Sequence, residues 1–382
     1  MENSESDYPL TTEKISKLRS LSAKDKPPSK VTLNMNIFRL PEGAKASLVK
    51  VRGGSGTYKV QMRLPGKTIG HRAAFQNIPV ESPKISKSKS RVLQTVHDNG
   101  VRPLHFTVNF IPKKIELKPN ERAEPPFDFD FRRNGEIVDR PNCVLPPDQR
   151  HIYQNTNFPW NTVGRVDSPL GSCTGCTIGS RLLLTANHCI QWNSDNTAGW
   201  VRFRPAYYNG SAPFGEAWAT RVISWMKVTP ADGLTDLETA FDYVVCVLDS
   251  RMGDIVGYPG YRTYASGWNG GSYWQHMGYP DDLSRGERPS FQDNAIISSV
   301  QTQSTSGQEG YVLGHFNDVV DGHSGGCVWG WWTGEPWPRV VGVHSTSPFV
   351  CPSAPTDTSG DNEFGDGPAL SSLISWARSN YP

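Results

Sequence analysis

From residue 143 to the end, no apolar run is long, and turn residues close nearly every one. "NTVGRV", "CTIGSRLLLTA", "WVRFRPAYY", "ATRVISWMKV", "DYVVCVL", "GYVLGHF", "GCVWGWW" and "RVVGVHS" each suit a strand, with Gly, Pro and Asn between them. Such a chain hides its apolar faces by stacking or closing sheets, so an all-β sandwich or closed barrels are expected. One helix stands out at the end. In "PALSSLISWARSNY", Leu370, Leu373, Ile374 and Ala377 recur at helical spacing, with Trp376 beside them.

Residues 1–142 have a different chemistry. They hold 26 Lys or Arg against 15 Asp or Glu, whereas residues 143–382 hold 13 against 22. All seven Cys and all twelve Trp lie at or after Cys143. This shift divides the chain into residues 1–30, read as disordered, a basic segment 31–142, and a body 143–382. "KVTLNMNIFRL", "TYKVQMRL" and "LHFTVNFI" alternate as strands do, so a small β-rich unit is expected within 31–115, with a linker from 117 to 142. The scattered basic residues carry few aromatics and no recognition motif, which disfavours nucleic acid as a partner. No run is apolar and long enough to span a membrane, and "MENSESDYPLTTEKISKLRS" shows no signal-peptide pattern. Opposite net charges point instead to the front segment docking on the body, with an attraction that salt weakens.

The chemistry concentrates in "VVDGHSGGCVW" (319–329), where Ser324 sits among Gly322, His323, Gly325 and Gly326. The pattern fits the nucleophile turn of an α/β-hydrolase as well as the nucleophile loop of a two-barrel protease. A hydrolase needs Ser, then an acid, then His, on strands alternating with helices. After Ser324 the only His is His344, the only acid between them is Glu335, and long amphipathic helices are missing. The opposite order is present: His188 in "LLLTANHCI", Asp242 in "FDYVVCVLD", then Ser324. In that order His188 takes the proton of Ser324, and Asp242 fixes the imidazole tautomer and stabilises its cation. "CTGC" beside His188 also admits a zinc reading, though no fourth ligand is evident.

These motifs resemble those of the trypsin-like serine proteases. The resemblance implies two six-stranded antiparallel β-barrels with a C-terminal helix, an acyl-enzyme mechanism on proteins or peptides, and no cofactor or metal. It implies an oxyanion hole at the N–H groups of Gly322 and Ser324, and a Cys173–Cys189 disulfide stapling the His-bearing strand. "LPPDQRHIYQNTNFPWNTVGRV", "MGYPDD" and "VVGVHSTS" are similar to segments of the glutamyl endopeptidase branch. That likeness places His344 and Ser347 at the substrate side chain and implies a Glu or Asp preference. Asp318 and Val319 fall on the same pocket. Asp318 keeps an Arg or Lys preference open as the alternative, and a catalytically silent homologue that acts as a binding module is a further one.

Residues 1–142 then stand where a propeptide would, an intramolecular partner and inhibitor of the body. Arg132-Arg133, Glu136-Ile137 and Asn142-Cys143 are candidate cleavage points. A secreted, extracellular protein is implied although no signal peptide is visible. Five further cysteines remain, so at least one is free or pairs between chains, and Cys327 with Cys351 is one candidate pair.

Overall fold

The computed structural model describes residues 7–25, 45–50, 58–63, 77–83, 97–117, 132–133, 136–137, 143–229, 233–347 and 361–382. The body forms two closed barrels. In the first, Val163–Ser168 pairs with Gly171–Gly179, then Leu182–Thr185, Val244–Leu248, Ala217–Ile223 and Arg202–Pro205, which returns to Val163–Ser168. In the second, Ser272–Gly278 pairs with Ser290–Thr305, then Gln308–His315, Asn362–Asp366, Arg339–Thr346 and Cys327–Gly330, which closes on Ser272–Gly278. All twelve pairings are antiparallel. Closure removes the edges that an open sheet would present. This is the chymotrypsin-like arrangement expected from the sequence.

Each strand expected after residue 143 contributes to a barrel. Fully buried runs such as Leu182–Thr185 and Val244–Leu248 read as continuous apolar stretches because barrel interior and covering segments enclose both faces. The 16-residue strand Ser290–Thr305 did not stand out, since its second half is polar and pairs as a two-stranded ribbon with Gln308–His315. The final helix spans Pro368–Asn380, with proline at its start, where a missing N–H costs nothing. It buries Leu370, Leu373, Ile374 and Ala377 in the core shared by the barrels. Each of the larger side chains contributes about 1.5–3 kcal/mol.

The front segment differs from its sequence reading. Residues 7–25, expected to be disordered, include the helix Thr12–Ser16, capped by the Thr11 side chain, with Ile15 buried. "LHFTVNFI" forms no strand; only Val108 makes isolated bridges, to Leu21 and Phe158. "TYKVQMRL" does form one, Tyr58–Arg63, paired with Lys45–Lys50. "KVTLNMNIFRL" lies outside the described residues. Ile78–Glu81 runs parallel to Ala217–Ile223 and extends the first barrel, and Lys114–Ile115 extends the second through His151–Tyr153. No helix among the described residues is long and apolar enough to cross a membrane.

Candidate active site

The site is assembled on the facing ends of the two barrels. Leu182–Thr185 ends in Ala186-Asn187-His188. Asn187 is fully buried, and its side-chain amide donates to Ser224 Oγ at 2.9 Å and to the Met226 carbonyl at 2.8 Å. Its Oδ1 accepts the Val228 N–H at 2.9 Å. A small residue could not make these bonds, so the amide fixes the turn that presents His188. Cys189, next in sequence, is joined to Cys173 by a disulfide across 16 residues, worth roughly 3 kcal/mol on a chain-entropy estimate.

Asp242 follows the short helix Asp236–Ala240, which begins with a Thr235–Glu238 capping box. "TDLE" was a legible signal for that helix and places Asp242 just past its end. The carboxylate is completely buried and fully engaged. Oδ1 accepts the His188 N–H at 2.8 Å, and Oδ2 lies 2.6 Å from His188 Nδ1. Ser345 Oγ donates to the same Oδ2 at 2.6 Å. Three contacts offset the cost of burying the charge. Ser345 was not found by sequence reasoning; its only signal was its place beside His344.

The His188 ring keeps 16% of its surface exposed. Burial pulls its pKa down. The Asp242 charge, their hydrogen bond and the more distant Asp321 outweigh that and raise it above the ordinary histidine value. A general base at this position works only when neutral. The acid limb of a kcat/KM–pH profile is therefore expected above pH ~6.5, and Asp242→Asn should move it to lower pH.

Ser324 lies on a loop held from several sides. Thr174 is its main anchor: its N–H donates to the Ser324 carbonyl at 2.8 Å, and its Oγ1 donates to the Gly322 carbonyl at 2.6 Å. The Ser324 carbonyl is also 3.9 Å from Cys189 Sγ, which brings the serine beside the His188 turn. Among the described residues, no hydrogen bond joins the Ser324 hydroxyl to His188. Such bonds are often long in an enzyme without substrate and tighten on binding. Gly322 and Gly325 have φ of +91° and +82°. A Cβ on Gly322 would lie 2.1 Å from the Tyr279 carbonyl, and one on Gly325 would lie 2.2 Å from the Thr174 carbonyl. Only glycine meets both demands.

Cysteine pairing departs from the candidate Cys327–Cys351 bond. Cys327 is bonded to Cys176, tying the strand after the nucleophile to the first barrel across 151 residues. On a chain-entropy estimate so long a loop contributes about 5 kcal/mol. Cys143 is also disulfide-bonded, and Cys246 is free and buried. Cys351 lies outside the described residues. With Cys173, Cys176, Cys189 and Cys327 in disulfides, the zinc reading of "CTGC" falls away. Among the described residues, no group of three His, Cys, Asp or Glu is placed to hold a metal ion.

Asp318 and Val319, expected at the substrate pocket, are both tied to the lead-in segment. Asp318 is 1% exposed, and its two oxygens accept the N–H groups of Leu145 and Gln149 at 2.8 and 2.7 Å. Val319 is buried and exchanges both backbone hydrogen bonds with Cys143. These residues brace the lead-in segment. Behind the nucleophile loop sits a feature the sequence did not reveal: His276, His315, His323 and His344 are all buried, with ring centroids 5.4–6.5 Å apart. His344 exchanges backbone bonds with Gly325 and Gly326, and its Nδ1 has no hydrogen-bond partner. Ser347 follows three residues later, half-buried. Burial first, then neighbouring positive charge, holds all four rings well below the usual histidine pKa.

These four rings carry a stability prediction. A histidine whose folded pKa is depressed costs stability once the unfolded chain begins to take up its proton. Thermal stability is expected to fall steeply as pH drops below ~6.5, by up to about 1.4 kcal/mol per pH unit for each ring. The raised pKa of His188 acts in the opposite sense, being one group against four. Unfolding midpoints measured between pH 8 and pH 5 check this.

Two closed six-stranded barrels with a buried Asp–His pair at their junction define a protein of the chymotrypsin-like class. A family model for trypsin matches residues 149–357, and the chain belongs to the trypsin family. It is 29% identical over 182 residues to a glutamyl endopeptidase of Bacillus licheniformis, covering 47% of this chain and 52% of that protein. It is 25% identical over 197 residues to an extracellular metalloprotease of Bacillus subtilis, covering 50% and 58%. The chain thus spans a little over half the length of these curated relatives. A solved structure of a Glu endopeptidase in complex with MPD aligns with 19% identity and a TM-score of 0.46, over 62% of this chain and 99% of that one.

Proposed function

We propose that the protein is a serine endopeptidase working through His188, Asp242 and Ser324. One observation carries this: a completely buried carboxylate grips both the backbone and Nδ1 of a partly exposed histidine, on the turn against which the Ser324 loop packs. His188 removes the hydroxyl proton as Ser324 attacks the peptide carbonyl. The N–H groups of Gly322 and Ser324 receive the oxyanion, each worth about 3–4 kcal/mol. The imidazolium then protonates the leaving amine, and water reverses the sequence on the acyl-enzyme. The substrates are proteins or peptides. The disulfides fit an oxidising, extracellular setting.

We further propose a Glu or Asp preference before the cut. His344 backs directly on the nucleophile loop with an unpartnered ring nitrogen, and three more histidines stand behind it. A substrate carboxylate arriving there would bring the negative charge that the buried rings lack, which favours protonation of His344 against its burial and lets the two groups pair. Asp318 favours this reading over a basic preference, because its carboxylate is committed to Leu145 and Gln149. The similarity to a glutamyl endopeptidase of Bacillus licheniformis agrees with an acidic preference. Peptides differing only in Glu, Arg or Leu before the cut provide the test. Glu should be cleaved best, and His344→Ala should lower the Glu-to-Leu ratio of kcat/KM at least about 10-fold, the loss of one charge-assisted contact. Preferential cleavage after Arg would reject the acidic reading while leaving the triad standing.

A further inference from the structure

We infer that the front segment is a permanent second chain of the mature protein: cutting the linker yields a two-chain particle, and no piece is released. The argument rests on what joins the two parts. The front segment fills an aromatic socket on the body. Ile15, Val108 and Phe110 pack with Phe158 and Trp331, both of which are completely buried. Tyr8 packs on the cluster of Trp268, Trp274 and Trp332. Removing the segment would return these rings to water, at a cost of about 1.5–3 kcal/mol for each large side chain.

Polar groups of the body are completed by the same segment. Gln275 Nε2 donates to the Phe110 carbonyl at 2.9 Å, while its Oε1 accepts from Trp329 and Trp331. Trp160 Nε1 donates to the Asn109 carbonyl at 2.7 Å. On the other side, Arg339 and Arg378 donate to the carbonyls of Asp98 and Asn99. Losing the front segment would leave buried donors without acceptors. Ile78–Glu81 adds a strand to the first barrel and Lys114–Ile115 adds one at the second, so a single segment grips both.

Electrostatics plays the smaller part, contrary to the expectation from net charge. Among the described residues, Lys114–Asp293 pairs a front base with a body acid, but Arg221–Glu81 and Arg378–Asp98 run the other way. Attachment by apolar burial and backbone bonding is insensitive to salt. Among the described residues, the front-segment contacts named above involve neither His188, Asp242 nor Ser324, and they act as a strap across both barrels.

To test this, a recognition site for an added protease is inserted between residues 118 and 142 of the full chain, and the protein is nicked. Sizing chromatography in about 1 M sodium chloride, where screening acts within ~3 Å, and native mass spectrometry then report the particle. Both pieces should travel together at the intact mass. Release of the front piece in any non-denaturing buffer overturns the inference, whatever then becomes of the body. Nicked Ile15→Asp/Val108→Asp protein should dissociate at least 100-fold more readily; retention equal to the unsubstituted chain would overturn the socket as its basis.

Discussion

Replacing Ser324 by alanine should abolish labelling by a fluorophosphonate and lower kcat/KM by about 10⁴-fold or more. The same loss is expected for His188→Ala, and the double variant should be little worse than either, since the two groups act as one unit. Asp242→Asn is the more informative change. Asp242 does three jobs in the structure: it accepts the His188 N–H, faces His188 Nδ1 and accepts from Ser345. An amide of the same shape preserves packing but presents a donor where the imidazole N–H needs an acceptor, so about 10⁴-fold should be lost with the fold intact. Undiminished labelling of the Ser324→Ala protein would show that another residue is the nucleophile.

Arg150→Met should cost about 3 kcal/mol of stability and reduce kcat/KM as well. Arg150 is the buried pin of the lead-in segment. Its guanidinium forks onto Asp282 at 3.0 and 2.6 Å and onto Asp148 at 3.0 and 2.9 Å, with its side chain 1% exposed. Burial alone would lower its pKa, but the two carboxylates raise it, so it stays charged. Methionine fills similar space but removes all four charge-assisted hydrogen bonds to Asp148 and Asp282, and keeps the residue-150 N–H on Asp148. The effect reaches catalysis because Asp281, next to Asp282, donates its N–H to the Asp321 carbonyl at 2.9 Å, one residue before Gly322. Directly before Ser324 stands His323, and the loop is braced by Asp318, which accepts from Leu145 and Gln149, and by Arg150 through Asp282. Arg150→Lys should recover only part of the loss, since an ammonium cannot fork onto two carboxylates. Calorimetry beside peptide kinetics separates the stability effect from the catalytic one.

Much of the body was legible because its signals are local. Alternation, turn residues and apolar runs state where strands begin and end, and the helical spacing of Leu370, Leu373, Ile374 and Ala377 states which face is buried. The order His188, Asp242, Ser324 carried the resemblance because each residue sits in its own short motif. The long strand Ser290–Thr305 was harder, since half of it pairs in solvent and needs no apolar pattern.

By itself the sequence determined the β-rich body, the closing helix and the order in which His188, Asp242 and Ser324 follow one another. Tertiary structure alone decided that Cys176 meets Cys327, that Ser345 supports Asp242, and that Asp318 turns to Leu145 and Gln149. It also gathered His276, His315, His323 and His344 behind one loop and seated Ile15 against Trp331. The reason is geometric. Strand propensity is a property of neighbours in sequence, whereas barrel closure brings together residues scores to hundreds of positions apart, and no local pattern records which of them will touch.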